Sequence, residues 1–239
     1  MLQRRRMETI TNNVANADTT GFKRENLVSH SFDAVMINRI FDTRAPGFGQ
    51  NVGPLNYGTQ TDQIYVYFTT GNLETTGRST DLALAGDAFF VMGTPDGERY
   101  TRAGAFYVDN IGYLVDGDGN FLLGENGPIY VGGLDFTVDQ LGAVRVGGEL
   151  TDNIRVVSFA DNETLRKQGD NLFFSVAAPM AAANDFRTFQ GYLESSNVDI
   201  AREMVDMLTV FRAYETNQRM LTMIDETVGR AVNDIGRLR

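Results

Sequence analysis

The chain has 239 residues, 42% hydrophobic and 22% charged, enough apolar material for the core of one or two folded domains and too much for a disordered tail. Its net charge of -10 and pI near 4.6 argue against a nucleic-acid binder, which carries a basic face. With no Cys and one His, His30, there is no disulfide framework, no thiolate nucleophile and too few ligands for the usual zinc site.

From Met1 to about Asn16, Met7, Ile10 and Val14 recur at the helical period, which predicts a short N-terminal helix. Its basic start lacks the continuous apolar stretch of a signal peptide, so export would need another route. Asp18-Thr19-Thr20-Gly21 then reads as a helix exit, with Gly21 free to take positive φ. The segment from Glu25 to Arg44 reads as a further short helix or an irregular arm, and Ala45–Gly58, with two Pro and four Gly, as a loop or linker. Beyond it the period falls to two. Ile64–Phe68, Asp81–Leu84, Ala88–Met92, Arg99–Thr101, Phe106–Val108, Tyr113–Val115, Phe121–Leu123, Ile154–Phe159 and Leu172–Val176 are strand candidates separated by turn residues. No connection between them is long enough for a crossover helix, which predicts an antiparallel domain.

The strongest periodic signal comes last. Ser195, Ser196 and Asn197 offer N-cap groups, with Asp199 three residues after Ser196 approximating a capping box. Ile200, Met204, Met207, Phe211, Tyr214, Gln218, Leu221, Asp225, Val228, Val232 and Ile235 follow the alternating 4,3 spacing of a heptad seam, polar at Gln218 and Asp225. At about 1.5 Å per residue such a helix is tens of ångströms long. A β domain of this size cannot cover that stripe, and the N-terminal helix is about half as long. The expectation is that other copies or other proteins cover it.

Catalytic and ligand motifs are not found. Asp116–Gly127 begins like a calcium loop but has Phe121 where the loop needs Gly and Gly127 where it needs a bidentate Glu, so it reads as a hairpin turn. The Gly-rich pieces lack the spacing of phosphate loops. Acidic residues are plentiful in the middle of the chain, but no pair stands out as a glycosidase couple, and their density suits a solvated face.

Three stretches carry a resemblance: NNVANADTTGFKR at Asn12–Arg24, the β segment at Leu82–Gly124, and GYLESSNVDIAREMVDMLTVFRAYETNQRMLTMIDE at Gly191–Glu226. Together they resemble the flagellar basal-body rod and hook family, its FlgF/FlgG-type rod members most closely. The resemblance implies a non-catalytic structural subunit without cofactors. It implies export through the flagellar type III apparatus and polymerisation, with other copies and other rod and hook proteins, into the axial rod that carries torque from motor to hook. It also implies no nucleic-acid or small-molecule partner and no membrane span, in the periplasm or cell-wall zone of the basal body. The fold expected is mostly β: a small antiparallel domain with N- and C-terminal helices forming a coiled-coil-like core. The corresponding divisions are 1–24 and 191–239 as terminal assembly segments, 25–60 as linker or arm, 61–180 as outer β domain and 181–190 as connection. Members of that family usually carry more residues before the position of Met1, so the expectation is a shortened first helix. By the same resemblance Asn12, Asn13, Asn16, Thr19, Thr20, Gly21 and Phe22 form the N-terminal contact segment. Leu193, Glu194, Ser196, Asn197, Val198, Glu203, Met204, Arg212, Tyr214 and Glu215 form the C-terminal one, and the seam adds Met207, Phe211, Leu221 and Val228. The class weighed against this is a secreted binding or adhesion module built on the central β domain.

Overall fold

The computed structural model describes residues 1–31, 35–38, 51–56, 58–133, 135–169, 171–175 and 186–236. The chain is mostly β, with one helix near each end, α1 (Leu2–Ala15) and α2 (Ile200–Gly236). It divides into two units, one of residues 1–11, 25–65 and 204–239, the other of residues 12–24 and 66–203.

In the first unit, β1 (Glu25–Ser31) pairs with β4 (Thr59–Val66), and β2 (Val35–Asn38) runs antiparallel to β3 (Asn51–Leu55). The helix-or-arm expectation for residues 25–44 is therefore corrected to strands where the segment is described. Val35, Met36 and Ile37 are good strand residues once β3 supplies a partner for their backbone. The loop expected over 45–58 likewise holds β3, while residues 39–50 lie outside the described part.

The second unit carries β5 (Leu73–Thr75), β6 (Leu82–Ala85), β7 (Phe89–Thr94), β8 (Gly97–Thr101), β9 (Tyr107–Val108), β10 (Leu114–Val115) and β11 (Phe121–Leu122). There follow β12 (Phe136–Val138), β13 (Ala143–Val146), β14 (Glu149–Asn153), β15 (Val156–Val157), β16 (Leu165–Gln168), β17 (Leu172–Ser175), β18 (Arg187–Gln190) and β19 (Tyr192–Glu194). Its main sheet has eight strands in the order β16-β17-β8-β7-β11-β10-β9, with β15 also on β7. The pairings of β7 with β8, β11 and β15 are antiparallel, as the short connections require.

Strand β7 explains why AFFVM lacks alternation. Phe90 and Met92 enter one buried cluster, with Leu82, Phe106, Leu114 and Leu122; Phe89 and Val91 enter the other, with Tyr100, Phe159 and Phe173. Successive strand residues face opposite sides, and here both sides are covered. Arg187–Gln190, expected as part of the connection, forms β18 on β6, and Tyr192–Glu194, at the start of the C-terminal segment, forms β19 on β5. The Ala-rich 177–185 lies outside the described residues.

The predicted C-terminal helix starts at Ile200 and ends at Gly236, one residue beyond the seam. Its start differs in detail. Asp199 accepts from Arg202 N at 3.2 Å and is itself the N-cap, whereas Ser196 Oγ accepts from Val198 N at 3.3 Å within the preceding turn.

Candidate assembly site

Two features of the terminal segments stand out: a buried polar junction in the second unit, and the face of α2 in the first.

The junction begins at the exit from α1. Asn16 Nδ2 donates to the Asn12 carbonyl and to Asn12 Oδ1, both at 2.9 Å, and Thr19 Oγ1 donates to Asn16 Oδ1 at 3.2 Å. These short polar side chains end the helix by competing for its backbone groups. Gly21 follows with φ 68°, and a Cβ there would lie 2.5 Å from Ala103 N and from the Arg102 carbonyl carbon. Only glycine fits, on both conformational and steric grounds. That close approach lets Gly21 N donate to the Glu194 carbonyl at 2.7 Å. Thr20 O accepts from Asn171 Nδ2 at 3.1 Å, and Phe22, fully buried, lies under the Lys167 ammonium at 4.3 Å.

Lys23 is drawn inward to Glu194. Its Nζ donates to Glu194 Oε1 at 2.5 Å and to the Thr69 carbonyl at 2.9 Å, and Gly71 N donates to the same Oε1 at 2.9 Å. Gly71 has to be glycine as well, because a Cβ would sit 1.9 Å from the Ser195 carbonyl oxygen. On the other side of the carboxylate, Arg102 Nη1 is 3.5 Å from Glu194 Oε2, an ion pair without a hydrogen bond, while Nη2 donates to the Gly86 carbonyl at 2.6 Å and the guanidinium lies 5.0 Å over the Phe89 ring. All three charged side chains are sealed from solvent. Burial holds the Lys23 ammonium below the ordinary lysine range, outweighing its attraction to Glu194. Burial pulls Arg102 in the same direction.

Next along the chain, Arg24 Nε meets Glu203 Oε1 at 2.5 Å, and Asn13 Nδ2 donates to Glu203 Oε2 at 3.1 Å. Asn197 spans the gap between them: Oδ1 accepts from Arg24 N at 2.7 Å, and Nδ2 donates to the Tyr67 carbonyl at 2.7 Å and to Thr69 Oγ1 at 2.9 Å. The N-terminal and C-terminal segments are thus spliced through side chains of opposite charge.

On α2 the picture reverses. In the first unit, the Arg4 guanidinium of α1 is raised chiefly by its hydrogen bond to Glu8, with Tyr214 of α2 a lesser influence. From Glu215 to Asn233 every residue is exposed. On the seam Met204 is 52% exposed, Phe211 46%, Leu221 63% and Val228 56%. Met207 and Tyr214 are half-buried, and the Tyr214 hydroxyl accepts from Gln218 Nε2 at 2.8 Å. Arg212 is exposed, and Glu215 makes a 4.0 Å surface contact with Arg219.

The structure therefore sorts the expected site residues into two groups. Asn13, Gly21, Phe22, Glu194, Asn197 and Glu203 meet in the junction, with Leu193 paired in β19 opposite Glu74 and Val198 half-buried beside it. Met204, Phe211, Leu221 and Val228 stand on an open face. Lys23, Arg24, Gly71 and Arg102 were missed. The first two lie inside the N-terminal stretch and Arg102 inside the β stretch that carry the resemblance, whereas nothing in the sequence marks Gly71.

The segments that build these features are also the ones that match known families. Residues 1–23 match the family described as "Flagella basal body rod protein", residues 83–157 the "Flagellar hook protein FlgE/F/G D1 domain", and residues 190–234 the "Flagellar basal body rod FlgEFG protein C-terminal". Over 247 residues the chain is 34% identical to the flagellar basal-body rod protein FlgG of Bacillus subtilis, covering 95% of this chain and 92% of that one. The chain belongs to the flagellar basal-body rod protein family. The chain is also 34% identical to FlgF of Caulobacter vibrioides over 250 residues, covering 100% of this chain and 95% of that one, and 28% identical over 256 residues to the hook-basal body complex protein FlhO of Bacillus subtilis, covering 99% of this chain and 95% of that one. Among the described residues no helix is long and apolar enough to cross a membrane, and no group of three or more His, Cys, Asp or Glu could hold a metal ion.

Proposed function

We propose that this protein is a structural subunit of the flagellar basal-body rod, polymerising with other copies and other rod and hook proteins into the axial shaft that carries torque from motor to hook. The observation that carries the assembly reading is the open face of α2. Its apolar seam runs from Met204 to Val232, and every residue from Glu215 to Asn233 is exposed. A heptad stripe of that length is stabilised by other helices, and terminal helices of neighbouring copies supply them as a coiled-coil-like core. Within the second unit, buried ion pairs and paired strands hold the exit of α1 to Glu194 and to Glu203. In this reading residues 1–24 and 191–239 assemble, residues 61–180 form the outer domain, residues 25–60 and 181–190 connect them, and the role is mechanical, without catalysis. Arrival through the flagellar export apparatus belongs to the same reading.

The test compares the mass of the full chain with that of a chain ending at Glu215, across a wide concentration range. Removing exposed residues leaves the β unit folded, so the shortened chain is expected to stay monomeric where the full chain associates. Two monomers at all concentrations would sink the reading.

A further inference from the structure

Every sulfur in this chain is a methionine sulfur, because the sequence holds nine Met and no Cys. Four of them, Met204, Met207, Met220 and Met223, lie on α2. Met204 and Met207 occupy the seam, the first more than half exposed and the second half-buried. Met220 and Met223 are 57% and 58% exposed but lie off the seam. Met92, inside β7, is completely buried, and Met36, on β2, is 54% exposed.

An exposed thioether is open to peroxides, and no thiol competes for the oxidant here. We propose that Met204 and Met207 are oxidation sites through which the assembly face of α2 is switched off in the unassembled chain. This regulation rests on the assembly reading above. In the step, a lone pair on Sδ attacks one oxygen of hydrogen peroxide, an S–O bond forms and the O–O bond breaks. The transferred oxygen gives its proton to the departing hydroxide, which leaves as water; the sulfur is oxidised by two electrons and the peroxide is reduced. The sulfoxide oxygen then has to enter a seam whose neighbours, Ile200 and Phe211, offer no side-chain donor. A polar group buried without a partner opposes helix packing. The two off-seam methionines provide an internal comparison of similar exposure on another face.

The experiment treats the unassembled full chain with hydrogen peroxide. It reads sulfoxide at each Met by peptide mass spectrometry, helix content by circular dichroism, and association by sedimentation. Met204 is expected to oxidise at a rate near that of Met36 and far above that of Met92, with helix content retained and association weakened by about tenfold or more. Methionine sulfoxide reductase restores it. The Met204→Leu/Met207→Leu variant keeps its association after peroxide, whereas Met220→Leu/Met223→Leu does not protect. Unchanged association with Met204 and Met207 fully oxidised overturns the proposal, and so does equal loss in the seam leucine variant. An untreated chain that never associates is a different result: it overturns the assembly reading, and this proposal with it.

Discussion

Lys23 and Glu194 stand 171 residues apart in the chain, yet Nζ lies 2.5 Å from Oε1 with both side chains shut off from solvent. The contact fixes the exit of α1 to the last strand before α2. A buried charge without its partner is far costlier than an exposed one, so both ends of the chain are held by one carboxylate shared with Arg102.

Glu194→Gln is the direct probe of that arrangement. It leaves the Lys23 and Arg102 cations buried against a neutral amide, and the expected loss is about 3–5 kcal/mol by urea denaturation. A loss below about 1 kcal/mol, the scale of a surface pair, would show that the junction is not sealed as described.

Gly21→Ala tests shape in place of charge. The new methyl meets the backbone of Arg102 and Ala103, which cannot rotate away, and the residue has to hold positive φ. The combined cost is about 2–5 kcal/mol. Hydrogen exchange should show residues 12–24 and 194–203 opening together while β7 and β8 stay protected. Opening of only one of the two segments contradicts the splice.

The pH response follows from two shifted groups. Lys23 has its folded pKa lowered by burial, so between that value and the ordinary 10.5 the unfolded chain binds more protons and stability rises with pH. Tyr100 is shifted the other way, raised from 10.0 by burial, so above that value the unfolded chain ionises first and stability falls. Denaturation midpoints measured on the alkaline side should climb and then turn over. In Lys23→Met the climb should vanish and the fall remain; a climb that persists in the variant assigns it to another group.

Leu221→Asp places a charge on the exposed half of α2. A surface substitution alters stability by no more than about 0.5 kcal/mol, so thermal unfolding should be unchanged. Incorporation into rods in cells, and association of the purified chain, should be lost. Normal rods built from the variant would mean that the seam is not where subunits meet.

The heptad seam of α2, its length, the early helix and the apolar run of β7 were all legible from residue order, because periods of 3.5 and 2 are local properties of a chain. The glycine exit at Gly21 was legible for the same reason. The partner of a buried charge is not local. Lys23 and Arg24 lie in the N-terminal stretch that carries the resemblance, Arg102 in the β stretch and Glu194 among the C-terminal contact residues, but nothing local pairs them, and Gly71 lies outside all three, until strands β5 and β19 bring residues 71 and 194 together. Strands β1 to β3, β5, β12 to β14, β16, β18 and β19 were missed likewise, since short mixed segments become strands only when another edge accepts their hydrogen bonds. Sequence alone determined that a long apolar helix face exists. The tertiary structure decided that its upstream end is anchored by paired charges in a dry interior while its downstream half is left open to solvent.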